Sequence, residues 1–393
     1  MNGYRCIAIT LLFMLVLCSS GRNAKLPPTQ NKIEADMRYL QPYSNPQLNS
    51  FQAVKLTAEG RLGKKISYSD GSVAGAARSL LLINDDNAVI DYGEAFYAVD
   101  IAQGKCLGYR AKTANSFVAL GNGDKFYFSS SNQLVGATIK NFKNEELPDF
   151  FVPGLGQFSS MNNIRPQEEI FTAAIQNDGN PKYPEKTFIV FQKIYPTTNT
   201  NWILKLDGEA APAPITVDGA VVVARDKKLT IIDNSGKLAN EITSEFSPLS
   251  CSIGPDGQIY ILSNTTRGSL LEAYDLSLNK KWEMIVDKHS LSQPPIVDAG
   301  PVIYLLGSGS VSAYRGERLI WETPIASDAA KATVSQNGQL VVTDGARIFC
   351  VDQSGMIKWT YQDSKGETFS TPPIFDSQGR VLAASDKSVI ILE

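Results

Sequence analysis

Three stretches of this chain begin with prolines and run straight into apolar, largely β-branched residues. They are Pro212-Ala213-Pro214-Ile215-Thr216-Val217-Asp218, Gln293-Pro294-Pro295-Ile296-Val297-Asp298 and Thr371-Pro372-Pro373-Ile374-Phe375-Asp376. Proline is tolerated at the first residue of a strand, where its missing N–H costs no ladder bond. Short apolar runs follow, such as Val221-Val222-Val223, Ile259-Tyr260-Ile261 and Val302-Ile303-Tyr304-Leu305, whose β-branched and aromatic content predicts strands. Asp218-Gly219, Asp256-Gly257, Asn337-Gly338 and Asn122-Gly123 provide hairpin turns, because these pairs accept positive φ. A second turn with Gly236, Gly316 or Gly355 leads to an outer strand, which in three copies carries Trp282, Trp321 or Trp359.

The residue closing the third strand of each unit sets the period. Asp233, Asp275, Arg315, Asp352 and the final Glu393 follow one another at steps of 42, 40, 37 and 41 residues. Four-stranded propeller blades have about this WD40-like length. Phe96-Tyr97-Ala98-Val99-Asp100 reads as the same third strand, and the gap to Asp233 holds two degenerate units, from Ser116 to about Phe151 and from about Gln157 to Leu206. The last unit stops after its third strand. Gly60-Arg61-Leu62-Gly63-Lys64-Lys65-Ile66-Ser67-Tyr68 parallels Gly355-Met356-Ile357-Lys358-Trp359 and is predicted to supply the missing outer strand, removing an exposed sheet edge. The expected fold is all-β: a single β-propeller of about eight four-stranded blades over residues 56–393, or seven if the degenerate stretch is one blade. A pair of β-sandwiches would also show short strands and turns, but needs no such repeat.

Residues 1–21 read as a signal peptide, with a basic start ending at Arg5 and an apolar run from Ile7 to Leu17 that is too short to span a bilayer. Two cleavage readings stay open. Leu15-Val16-Leu17-Cys18 is similar to a bacterial lipoprotein signal ending at 17, with Cys18 lipidated, although Leu17 departs from the small residue that pattern wants. Ordinary cleavage after Ser20 or Gly21 fits the small residues there. Residues 22–55 are rich in Asn, Gln, Pro and Ser and are expected to form a flexible polar tether.

Composition removes several functions. The net charge is −3 with no dense basic block, which disfavours nucleic acid. The scattered Cys106, Cys251 and Cys350 do not resemble a disulfide framework and read as small buried apolar side chains. The single His289 supports neither a zinc site nor a Ser/His/Asp triad. Asn84-Asp85-Asp86-Asn87 and Asn177-Asp178-Gly179-Asn180 could offer oxygens to a cation, but hairpin turn chemistry accounts for them. The carboxylates Glu145, Glu146, Glu168 and Glu169 read as solvated loop charge.

The Pro-Pro-Ile-x-Asp phrase, the Glu272-Ala273-Tyr274-Asp275 and Tyr97-Ala98-Val99-Asp100 strands and the Gly355-to-Trp359 exit together resemble repeats of the pyrroloquinoline-quinone-type β-propeller superfamily. One branch of that superfamily contains quinoprotein dehydrogenases. Another contains non-enzymatic lipoproteins such as the outer-membrane β-barrel assembly subunit. The dehydrogenase branch implies a calcium-held quinone, an Asp base, a stacking Trp and often a disulfide between adjacent cysteines. No adjacent cysteine pair occurs here, and Trp282, Trp321 and Trp359 share one register, as docking between blades requires.

The expectation is therefore a non-enzymatic, exported bacterial envelope scaffold, monomeric, with no cofactor, metal or catalytic residue. It is periplasmic or lipid-anchored at the outer membrane and has an envelope or outer-membrane protein partner. The alternatives are a quinoprotein-type oxidoreductase with its cofactor in the ring centre, or a carbohydrate-binding propeller. Function should sit on loops that leave the repeat. Phe150, Phe151 and Phe158 in an apolar connection, and Tyr183 in the long loop 176–186, are the candidate partner-binding residues. Strand parity puts both loops on one face, and the competing reading tucks the phenylalanines into a degenerate blade.

Overall fold

The recurring aspartates fix the architecture, because each closes a turn with its own carboxylate. Asp275 Oδ1 accepts the Ser277 and Asn279 amides at 2.9 Å each. Asp352 does the same with Ser354 and Met356 at 2.8 and 3.1 Å, and Asp233 with Ser235 and Lys237 at 2.9 and 3.0 Å. At the earlier turn of a unit, Asp298 receives Gly300 and Val302, and Asp376 receives Gln378 and Arg380. Such side-chain-to-backbone bonds satisfy amides that the sheet ladders cannot reach. Arg315 interrupts the series because its turn is tighter: Arg315 pairs directly with Arg318 across it.

This computed structural model describes residues 51–68, 76–111 except 93–94, the strands together with residues 139 and 142 within 118–207, and 219–393 except 234, 287–292, 308 and 328–329. Among the described residues the strands form eight sheets. Most are four antiparallel strands in chain order: 79–111, 118–151, 163–207, 248–286 and 296–324 each contribute one, and 221–243 contributes three strands. The degenerate stretch thus holds two separate four-stranded sheets.

First strands of neighbouring sheets lie side by side. Ile296–Val297 adjoins Lys331–Ser335, and Ser79–Asn84 adjoins both Val118–Leu120 and Ile374–Phe375. These strands therefore form the inner wall of a β-propeller, and the last sheet abuts the first. The buried core follows the same wedges: Tyr260, Leu262, Leu271 and Ala273 pack against Val297, Ile303 and Leu305 of the next sheet.

Closure uses both ends of the described chain. Leu62–Ser67 pairs antiparallel with Ser388–Leu392, with Ile66 opposite Val389 and Lys64 opposite Ile391. Arg61 and Glu393 exchange backbone hydrogen bonds at 3.0 and 2.8 Å. Glu393 thereby reproduces the bond that Asp352 makes to Met356 within a continuous turn.

The fold begins earlier than position 56. Phe51–Gln52 runs parallel to Lys331–Ser335 as a fifth strand, with Phe51 opposite Val334 and Gln52 opposite Ser335. Residues 51–55, assigned from composition to the polar tether, are thus part of the domain. Phe51, Gln52 and Val54 are buried.

Candidate functional site

In the four sheets between 221 and 362 the third-to-fourth strand pair carries a β-bulge at one register, which aims one side chain at the next sheet. At that register Trp282 stands opposite Ala273, Trp321 opposite Ala313 and Trp359 opposite Cys350, so a small partner leaves room for each indole. Trp321 Nε1 donates to the Gln353 carbonyl in the next sheet's turn at 2.9 Å, and its ring covers Gly355. Trp359 covers Gly60 of the closing strand in the same way. Trp282 instead packs with Tyr260 at 6.1 Å between ring centres, and nothing lies over Gly316 in the tighter turn beyond it.

Three residues without an indole occupy the same register: Gly108, opposite Ala98, has no side chain to reach the next sheet, and the other two do reach it. Asn240 Nδ2 donates to the Ser277 carbonyl at 2.6 Å, and Lys64 Nζ donates to the Ile101 and Ala102 carbonyls at 2.7 and 2.8 Å. The contact to the neighbouring turn is kept while its chemistry changes. Reading four residues on from Gly60 or Gly236 locates Lys64 and Asn240, as the same step from Gly355 locates Trp359, so the signal was spacing rather than residue type.

A buried polar network locks the closing strand. Lys65 Nζ lies 2.6 Å from Asp363 and 2.8 Å from Glu367, two carboxylates nearly closed to solvent in the link between the last two sheets. Glu367 also accepts the Ser385 and Ser388 hydroxyls. The Lys65 hydrogen bond holds the Asp363 carboxyl below its usual range. Burial opposes ionisation of Glu367, yet donation from Lys65, Ser385 and Ser388 prevails and lowers its pKa too. Burial also opposes the Lys65 charge, but the two carboxylates outweigh it and raise the ammonium above its ordinary value.

At the inner wall, residues 51–58 cross three consecutive sheets. Phe51 packs with Ile296 and Val334, the Val54 carbonyl accepts the Gln336 amide at 2.9 Å, and Gln52 Oε1 accepts the Phe375 amide at 2.7 Å. Farther on, the Thr57 and Ala58 amides donate to the Gly379 carbonyl at 3.0 and 3.2 Å. The inner hydrogen-bonding edge of Lys331–Ser335 is therefore taken by the chain itself.

The sequence-predicted site residues fall in different places. Phe150 and Phe151 lie in the outer strand Leu147–Phe151, opposite Leu134 and Gln133, and not in the connection where sequence placed them. A bulge between Leu147 and Phe150 accommodates Pro148 on this edge strand. Phe158, Tyr183, Cys18 and His289 lie outside the described residues, as do Asn177–Asn180, Glu145, Glu146 and Glu168. Strands Glu169–Gln176 and Lys186–Lys193 are second and third in their sheet, and the segments 152–162 and 177–185 lie outside the described residues. Asn84 Oδ1 accepts from Asp86 and Asn87, so that turn is held internally, while Asp85 receives the Ser377 amide at 3.0 Å.

Cys106, Cys251 and Cys350 form no disulfide among the described residues; Cys251 and Cys350 are buried, which pushes their thiol pKa up to about 12, and Cys106 is partly exposed. Among the described residues, no three His, Cys, Asp or Glu side chains group as metal ligands would.

Sheets repeated radially, packed face against face and closed by an N-terminal strand, make this a β-propeller. Two solved propellers share the fold: Sqt1 from Saccharomyces cerevisiae, at 10% identity and TM-score 0.64 over 86% of this chain and 99% of that one, and the Dos1 propeller, at 8% identity and TM-score 0.63 over 85% and 95%. A virginiamycin B lyase from Staphylococcus aureus aligns at 11% identity and TM-score 0.50 over 84% of this chain and 99% of that one. At these identities the likeness speaks for architecture alone. Residues 255–393 match the family model described as outer membrane protein assembly factor BamB. No curated protein matches the chain significantly.

Proposed function

We propose that this protein is a non-enzymatic, eight-bladed propeller of the bacterial cell envelope that holds other proteins together. The observation that carries the reading is the strap 51–58, which commits part of the inner wall to the chain's own residues. The family match over 255–393 adds support for an envelope role. In this reading residues 1–17 are an export signal, Cys18 is the lipid-bearing residue, and the polar segment before Phe51 spaces the propeller from the membrane. In the same reading the partner is met by Phe150, Phe151, Phe158 and Tyr183.

Crosslinking in native envelopes followed by mass spectrometry tests the scaffold role, with an envelope or outer-membrane protein as the expected product. Bound-cofactor absorbance and dye-linked oxidation of alcohols, on mixing purified protein with pyrroloquinoline quinone and calcium, would overturn it. Charge substitution at Phe151 and Phe158 should release the captured partner. Intact mass of the mature N-terminus reads the state of Cys18.

A further inference from the structure

A groove of about 580 Å³ opens between the sheet 248–286 and the link that precedes it. Its apolar walls are Phe246, Leu270 and Ile285, and Ile285 is 50% exposed although it is a large aliphatic side chain. Its charged lining is Glu245, Glu272 and Glu283 against Arg267 and Lys280, which leaves the carboxylates in excess.

Glu272 and Glu283 face each other directly across the strand pair, an arrangement in which like charges repel. Lys280 Nζ relieves the repulsion by lying 2.7 Å from Glu272 Oε1 and 2.6 Å from Glu283 Oε2. One ammonium cannot balance two carboxylates, so the trio keeps a net negative charge. Glu272 Oε1 additionally accepts the Tyr274 hydroxyl at 2.8 Å. Glu272 is only 1% exposed, and its Oε2 has no hydrogen-bond donor. A buried carboxylate oxygen without a donor is costly, and folded proteins rarely leave one so.

Apolar walls leading to an under-neutralised carboxylate pair fit a flexible alkyl stem ending in a cation. We propose that this groove receives a lysine or arginine side chain presented by a protein partner. The stem lies along Leu270, Ile285 and Phe246. The cationic head donates to Glu283 and to Glu272 Oε2, with the Lys280 ammonium giving way toward solvent, where its side chain is already 44% exposed. Only the source of the side chain rests on the scaffold reading.

Agmatine, an alkyl guanidinium, serves as the probe, read through the ¹³C-methyl signals of Ile285 and Met284 in the full-length protein. Saturable shifts with a dissociation constant of ~1–10 mM are expected for so small a ligand. Glu283→Gln, at an exposed position that should leave the fold intact, should weaken binding about fivefold or more by neutralising half of the pair. Glu272→Gln should weaken it further, and circular dichroism checks that this variant is folded. Glutarate, of similar length but opposite charge, should give no shift. Absence of saturable shifts, equal affinity in Glu283→Gln, or an equal response to glutarate would each overturn the proposal. Agmatine binding without any crosslinked partner in envelopes would leave the groove standing and remove the scaffold reading; partners captured without agmatine binding would do the reverse.

Discussion

Gly355→Ala isolates the contact by which one sheet grips the next. Gly355 has φ +85°, and a Cβ built there would lie 2.8 Å from Trp321 Cγ and 2.9 Å from Cδ2. The indole cannot swing aside freely, because Nε1 is bonded to Gln353. The left-handed backbone costs a residue with a Cβ roughly 1–2 kcal/mol. Forcing the overpacked ring to move adds about 1–3 kcal/mol, for a total of about 2–5 kcal/mol. Gly257→Ala is the control, since Gly257 has φ +76° but no atom within 4 Å of the added Cβ, so it should lose only the backbone part, about 1–2 kcal/mol. Urea unfolding followed by circular dichroism gives both values. In a Trp321→Ala background the Gly355→Ala penalty should fall by up to about 1–3 kcal/mol but stay above the control, because the Cβ at position 321, also 2.9 Å from the added methyl, remains. Equal destabilisation by Gly355→Ala and Gly257→Ala, or no coupling to Trp321, would refute the grip.

Lys65→Met should destabilise the protein by about 2–4 kcal/mol at pH 7, because it leaves Asp363 and Glu367 buried without their cation. Both carboxyls have lowered pKa values, so the network's contribution is present above the ordinary carboxylate range and fades as pH falls through the folded values. The gap between Lys65→Met and the parent protein should therefore narrow in urea titrations toward pH 3. The Lys65 pKa is raised, so its own contribution persists through neutral pH and is lost only in strong alkali, as pH rises through the folded value. Gln52→Ala removes the acceptor of the Phe375 amide and should cost about 1–3 kcal/mol, with faster hydrogen exchange at Phe375 than at the distant Val222. Of the described thiols, Cys106 should be alkylated first under native conditions and Cys251 and Cys350 only on unfolding, as peptide mass spectrometry would show.

The architecture was legible in the sequence because it rests on local chemistry repeated at a fixed distance. A Pro-led strand, an Asp that satisfies its own turn and a bulge-borne side chain each leave a residue-type signal. The pairing of Ile66 with Val389 could be inferred because Gly60 copies Gly355 at the opposite end of the chain. What composition could not show was burial of polar residues by particular partners. Gln52 sits in a stretch that looks like tether, and only the Phe375 amide, far along the chain, explains why it is inside. Lys65 looks like a surface charge until Asp363 and Glu367 are brought beside it. Phe150 and Phe151 were read as part of an apolar connection, yet they close an edge strand whose bulge tolerates Pro148. The groove at Glu272 was invisible for a related reason: facing carboxylates appear only once strand register is known.

Assembling one sheet from segments roughly 320 residues apart sets a schedule for synthesis. On a ribosome adding ~5–20 residues per second, Leu62–Ser67 waits roughly 15–65 s before Ser388–Leu392 exists to receive it. Over that interval every intermediate blade can form on local hairpins, while the seam stays open with two unpaired edges. A nascent chain of this kind stays exposed to mispairing until Ser388–Leu392 is made, so cellular helpers that shield bare strands would matter most up to that point.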